Sequence, residues 1–294
     1  MNRVFEFRAG APVSVNDVLR NNFKMSGTII KRLKNTENGI TVNQKHARTC
    51  DILQPGDVLL LTLSEGRSEN IVPKKIPFGI VFEDEDIIVI DKPAGVATHP
   101  SHKHFDDTLA NGLMYYFAQK GEEHVFRAVN RLDKDTSGLM CAAKNAYAHY
   151  RLCGGLHEDF ERRYTAIAEG EIERPVTIDA PVARCGDGIL KRCVSEDGRR
   201  AVTHCTPIMR AGGYTLAELR LETGRTHQIR VHMAHIGHPL LGDWLYGRED
   251  RTLFPRTALH SSFMSFTHPV TGGRLEFSAP LPLDFQSFIA SLQM

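Results

Sequence analysis

Two aspartates, an arginine and a Thr-Ser-Gly triplet crowd into the stretch Asn130-Arg131-Leu132-Asp133-Lys134-Asp135-Thr136-Ser137-Gly138. Polar density of this kind, set just before the apolar run Leu139 to Ala143, is typical of a loop that carries function. Asp133 and Asp135 could supply a nucleophile or an acid–base pair. The same D-x-D spacing also suits turn residues that bond nearby backbone N–H groups, so spacing alone leaves both readings open. A second segment, Leu221 to His232, contains Gly224-Arg225-Thr226-His227-Gln228-Ile229-Arg230. It reads as a strand, a glycine turn and a helix with Thr226 as its N-cap. Ile229, Met233 and Ile236 then form the core stripe, which puts the Arg and His side chains of this helix on a solvated face. His232, His235 and His238 recur every third residue, but they lack the i, i+4 pair around a glutamate that a zinc helix uses. Capping of the helix end before Pro239 explains them better than a metal.

These segments need a scaffold, and the flanking pattern supplies one. Ile80-Val81-Phe82 and Asp86 to Asp91 are β-rich runs, stopped by Pro93 and Gly95. Leu109 to Ala118 and Ala146 to Leu156 are helix-like. Arg163 to Ala168, Ala201 to Cys205, Thr215 to Leu221 and Ala258 to Phe266 read as strands. Strands outnumber helices without regular alternation, so the class is α+β: a mixed, mostly antiparallel sheet with flanking helices. Ahead of it, residues 1–65 form a small α+β unit with short helices at Ser14 to Leu19 and Gly27 to Leu33. Its strands are Ile40 to Asn43 and Val58 to Leu63, the latter after the turn Gln54-Pro55-Gly56-Asp57. Residues 66–77, with Gly66, Pro73, Lys74 and Lys75, read as a linker, which leaves 78–294 as the large domain.

Composition bounds the partners. The 294 residues are 41% hydrophobic and 24% charged, an ordinary globular balance. No apolar run is long enough for a membrane span and no signal pattern opens the chain, so a cytoplasmic location and no membrane partner are expected. The six cysteines lack C-x-x-C spacing and are expected as reduced thiols, mostly core filler. Net charge is only +1, yet residues 1–75 carry twelve Lys/Arg against seven Asp/Glu. Lys24, Lys31, Arg32 and Lys34 are therefore candidate phosphate contacts in the first unit, although a merely solvated face would look the same.

Taken together, the segments resemble the RluA-, RluC- and RluD-type pseudouridine synthases, whose signature is H-R-L-D-x-x-T-S/T-G. Ile90 to Gly95, Asn130 to Gly138, Arg163-Tyr164-Thr165-Ala166, Gly224 to Arg230 and His238 to Asp243 carry the likeness in order along about half of the chain. Residues 10–62 resemble a divergent S-four-type RNA-binding domain. Asn130 stands where the pattern usually has His; it keeps hydrogen-bonding capacity but cannot become cationic.

The resemblance implies isomerisation of uridine to pseudouridine in structured RNA, with ribosomal RNA favoured over transfer RNA, no cofactor or metal, and a monomer. It makes Asp133 the catalytic aspartate, as nucleophile at the anomeric carbon or as base in a glycal route. Either role needs an ionised carboxylate, which a cation at contact distance favours, and Arg225 is the expected ion-pair partner. Tyr164 corresponds to the tyrosine that lies against the flipped uracil and is a candidate for removing the proton from carbon 5. Arg131 is the residue expected to fill the space the nucleotide vacates. Three alternatives compete: an inactive RNA-binding or ribosome-assembly protein, suggested by Asn130; a tRNA-directed synthase; and a glycoside hydrolase using Asp133 with Asp135. The hydrolase is disfavoured by a single Trp, which leaves few sugar-stacking platforms.

Overall fold

A computed structural model describes residues 2–66, 68, 70–101, 104–155, 159–186 and 191–292. The large sheet has nine strands. Across it run Val176–Asp179, Val202–Ala211, Tyr214–Leu221, Glu161–Glu169, Leu259–Thr267, Ser137–Ala143, Ile87–Lys92 and Gly79–Glu83, and Arg274–Ser278 pairs with Leu259–Thr267 off this path. Pairing is antiparallel except between Ser137–Ala143 and Leu259–Thr267, at the centre of the sheet. This is the expected mixed, mostly antiparallel α+β class.

Side chains alternate across each strand, so neighbouring residues serve different layers. Ile88, Ile90 and Met140 pack with Leu109 and Leu113 of the helix Leu109–Gln119. Ile87, Val89, Leu139 and Cys141 pack on the other side with Ala148 and Leu152 of the helix Ala146–Gly155. Every residue of Ser137–Ala143 is buried, and burial on both faces explains its unbroken apolar run from Leu139 to Ala143. Leu156, where the second helix was expected to end, lies outside the described residues, as do Arg67 and Glu69 of the expected linker.

Residues 2–64 build a separate four-stranded antiparallel sheet in the order Asn2–Arg8, Val58–Ser64, Ile40–Val42, Lys45–His46. Its core includes Leu19, Ile29, Leu33, Leu59 and Leu61. The helix Gly27–Asn35 starts at Ser26, whose hydroxyl accepts from the Ile29 N–H at 3.3 Å. The first expected helix, Ser14 to Leu19, runs on to Asn22 and widens on the way. Ser14 caps one α-turn, Val15–Asp17, which then opens into i→i+5 bonding over Val18–Asn22. The segment after Ser64 has no helix or strand among its described residues, but it is not loose. Glu65 holds Arg127 at 2.6 Å, and Ser68 accepts from the Phe126 N–H at 2.9 Å. Of the cysteines, Cys141 and Cys205 are core residues, whereas Cys50 is exposed.

Candidate active site

The loop 130–136 is clamped from several sides before it enters the central strand. Asn130 accepts from the Cys141 N–H at 2.8 Å, and the Thr98 hydroxyl donates to the Leu132 carbonyl at 2.8 Å. The Lys134 carbonyl receives the Gly95 N–H at 2.9 Å and the Lys92 ammonium at 3.1 Å. Lys92 is fully buried, and its other two bonds go to the carbonyls of Pro93 and Val96 at 2.8 Å each. Burial pushes this lysine down to about 7. Gly138 closes the stretch at φ 102°, where the Ser261 carbonyl would collide with any Cβ. The glycine of the motif is thus dictated by close parallel pairing of two backbones.

These clamps present Asp133 to an open cleft that Arg131, Tyr164, Arg225, His227 and Arg230 also line. Asp135 is not on that lining; its carbonyl accepts from Arg256 at 2.9 Å. The pair of flanking carboxylates that a hydrolase needs is therefore not presented in this cleft. Tyr164 reaches the cleft from Glu161–Glu169 at a break in register with Leu259–Thr267, between Arg163 and Tyr164, where an irregularity can re-aim a side chain. Burial pushes the Tyr164 phenol up; Arg162 opposes this and the Asp133 charge adds to it. A phenol held above its ordinary value is a poor base near neutral pH.

The cation on Asp133 is Arg230, not the expected Arg225. Arg230 Nη1 lies 3.3 Å from Asp133 Oδ2, while its Nε and Nη2 grip the fully buried Asp243 at 2.7 Å each. Burial opposes the Arg230 charge, but the carboxylates of Asp243 and Asp133 outweigh it and hold the guanidinium above its ordinary value. Arg225 instead gives its Nε proton to the Arg200 carbonyl at 3.0 Å.

The reason lies in how the helix starts. Gln228–His235 is preceded by His227 in the left-handed conformation, φ 58°, rather than capped by Thr226. Buried Gln228 stitches the turn: its carbonyl oxygen accepts from the Thr223 hydroxyl at 2.8 Å and the Arg225 N–H at 3.0 Å, and its amide donates to the Val202 carbonyl at 3.0 Å. Arg225 is thereby left on the rim, while Arg230, one turn into the helix, points inward. The expected solvated face does not form, since every residue from Gln228 to Met233 is buried. His232 contacts the Thr203 hydroxyl at 2.9 Å and the Ala180 carbonyl at 2.8 Å, and His238 the Glu169 carbonyl at 2.9 Å. These two histidines bind neighbouring strands rather than cap their own helix.

Sequence reasoning missed His227 and Tyr246 as members of the site. His227 Nε2 is 3.9 Å from Asp133 Oδ2, and its Nδ1 is 2.8 Å from the Tyr246 hydroxyl. That hydroxyl also accepts from the Arg192 N–H at 2.8 Å. Burial pushes His227 down, which favours the neutral ring. Asp243 was legible as the end of the His238 to Asp243 motif, and it is the carboxylate that makes a buried Arg230 tolerable.

Elsewhere, Lys24, Lys31 and Lys34 are exposed, whereas Arg32 lies 3.7 Å from the buried Glu65, at the junction with the large domain. No helix among the described residues is long and apolar enough to cross a membrane.

A loop aspartate held against a buried arginine thus shares a cleft with a tyrosine at the centre of a mixed sheet, and the comparisons give the class to which the chain belongs. The family model described as RNA pseudouridylate synthase matches residues 86–235. The uncharacterized RNA pseudouridine synthase YjbO of Bacillus subtilis is 40% identical over 253 residues, covering 85% of this chain and 89% of that one. The ribosomal large subunit pseudouridine synthase D of Pseudomonas aeruginosa is 41% identical over 268 residues, 86% and 84% of the two chains. The human RNA pseudouridylate synthase domain containing 1 shares the fold, with a TM-score of 0.58 at 24% identity over 74% of this chain and 95% of that one. This chain belongs to the RNA pseudouridylate synthase family and is an RNA-modifying isomerase.

Proposed function

We propose that the protein converts specific uridines of large-subunit ribosomal RNA to pseudouridine, with Asp133 as the catalytic carboxylate. The observation that carries the reading is the Asp133–Arg230 contact in a cleft shared with Tyr164, within a chain similar along most of its length to enzymes named for that RNA. Isomerisation breaks the bond from the anomeric carbon to ring nitrogen 1 and forms one to carbon 5. The proton displaced from carbon 5 is lost and nitrogen 1 regains one, so no outside reactant is consumed. Asp133 acts at the anomeric carbon, with Arg230 Nη1 3.3 Å from its Oδ2 and its side chain 28% exposed to the cleft. Tyr164, held protonated, serves as a wall for the flipped base rather than as the proton acceptor. Arg131, exposed beside Asp133, fills the gap in the stack. Residues 1–65 act as an S-four-like RNA-binding unit in which Lys24, Lys31 and Lys34 touch backbone phosphates. The protein works as a cytoplasmic monomer.

Tritium release from carbon 5 of labelled uridine tests the reading, with an unmodified large-subunit ribosomal RNA transcript as substrate and Asp133→Ala as control. Release by the wild type alone is expected. Equal release by both proteins, or release from transfer RNA only, would overturn it.

A further inference from the structure

Beside the catalytic cleft, and sharing Arg131 and Arg225 with it, lies a second open groove. Arg184, Arg192 and Arg199 complete a set of five arginines on its lining, and among the described residues the lining has one carboxylate, Asp197. Most come from the small hairpin of Val182–Arg184 and Arg192–Val194 and the turn that follows it. The ion pairs nearby are Arg200 with Glu222 and Arg230 with Asp133; among the described residues, none engages the five groove arginines.

Two features of the hairpin make little sense for an empty groove. Arg184 and Arg192 are direct partners across the antiparallel pair, where like charges destabilise each other. The Arg192 Nε is buried with no acceptor among the described residues, an arrangement that costs free energy unless an acceptor such as an anion supplies the bond. Arginine is also the side chain whose planar fork matches phosphate oxygens in pairs.

We infer that this groove binds the phosphodiester backbone of the RNA strand flanking the target uridine, with Arg184 and Arg199 as phosphate contacts and Arg192 beside Arg184 across the strand pair. The backbone path thus leaves the cleft over the hairpin of the large domain. It does not depend on the basic surplus of residues 1–75. The choice of RNA as ligand rests on the isomerase reading above.

The test measures RNA affinity of the full-length protein against salt, using the same large-subunit transcript, alongside tritium release. Arg184→Gln and Arg199→Gln remove exposed charges. Each is expected to weaken half-saturation on the order of tenfold and to lower the slope of log affinity against log salt by about 0.7. Arg184→Lys and Arg199→Lys keep the charge and should recover the slope. If the glutamine variants keep the wild-type slope and affinity while the wild type releases tritium, the groove assignment is wrong and the isomerase reading stands. If the slope falls as expected but the wild type releases no tritium, the groove is a backbone site and the substrate reading fails.

Discussion

Arg230 serves two carboxylates of unequal burial, and the inequality dictates how its loss is felt. Asp243 has no solvent-exposed side-chain surface, whereas Asp133 retains access to the cleft. Arg230→Met therefore strands Asp243 as an unpaired buried charge, which costs about 3–5 kcal/mol. Arg225→Met removes only a bond to a backbone carbonyl at the rim, about 1 kcal/mol. Thermal melting of the two variants should show a large drop for the first and a small one for the second, and similar drops would sink the assignment of Arg230 as the buried partner. Asp133→Asn keeps the shape and should melt near the wild-type temperature, while its single-turnover rate falls by about 10⁴-fold or more. The aspartate and tyrosine were legible because their motifs stand in order along the chain. The choice between Arg225 and Arg230 was not, because it depends on the turn held by Gln228 and on a left-handed His227, neither of which leaves a periodic trace. Arg230 follows the core residue Ile229, so a helix-face reading assigned it to solvent.

At the scale of elements, the central strand and the docking of the first unit carry the site. Gly138→Ala would push a methyl group into the Ser261 carbonyl at a backbone angle that L residues rarely adopt, a cost of about 3 kcal/mol or more. Because the clash lies directly after the catalytic loop, activity should fall further than the melting temperature alone accounts for. Rates measured well below the melting transition separate the two effects. The first unit is fastened by Tyr147, whose ring sits 4.8 Å from Phe5 inside that unit's core and whose hydroxyl donates to the Phe23 carbonyl at 2.9 Å. Arg3 adds a paired grip on Asp86, at 2.8 and 2.9 Å. Tyr147→Ala should cost about 3 kcal/mol or more of docking, seen as faster hydrogen exchange throughout residues 2–64. Protection unchanged there would mean the two units are independent. Val58–Ser64 was readable from the tight turn before it, whereas Ser137–Ala143, buried on both sides, has no period to read. Asn2–Arg8, Arg274–Ser278 and the closing helix Leu283–Ser291 escaped notice because their patterns are short and mixed with charge.

For the whole molecule, buried histidines set the acid limit. Burial pushes His99, His149, His227, His232 and His260 below the ordinary imidazole value. The unfolded chain binds protons at these positions from about pH 6.5 downward, before the folded chain does. Their contribution is thus complete above that pH and declines as pH falls through it towards the folded values. Glu83 and Glu122 act in a lower window. Burial alone would raise both, but hydrogen bonds outweigh it and hold them down, Glu122 at about 2. Their contribution is present above the ordinary carboxylate value and is lost as pH falls below about 4.5. Melting temperature should therefore stay level down to about pH 6.5, decline from there, and fall more steeply below about pH 4.5. His227→Asn adds a local test, since the folded chain has one fewer ring to keep neutral. Its melting temperature should fall less than that of the wild type between pH 6.5 and 5, and parallel curves would show that the imidazole beside Asp133 is not held neutral by its burial.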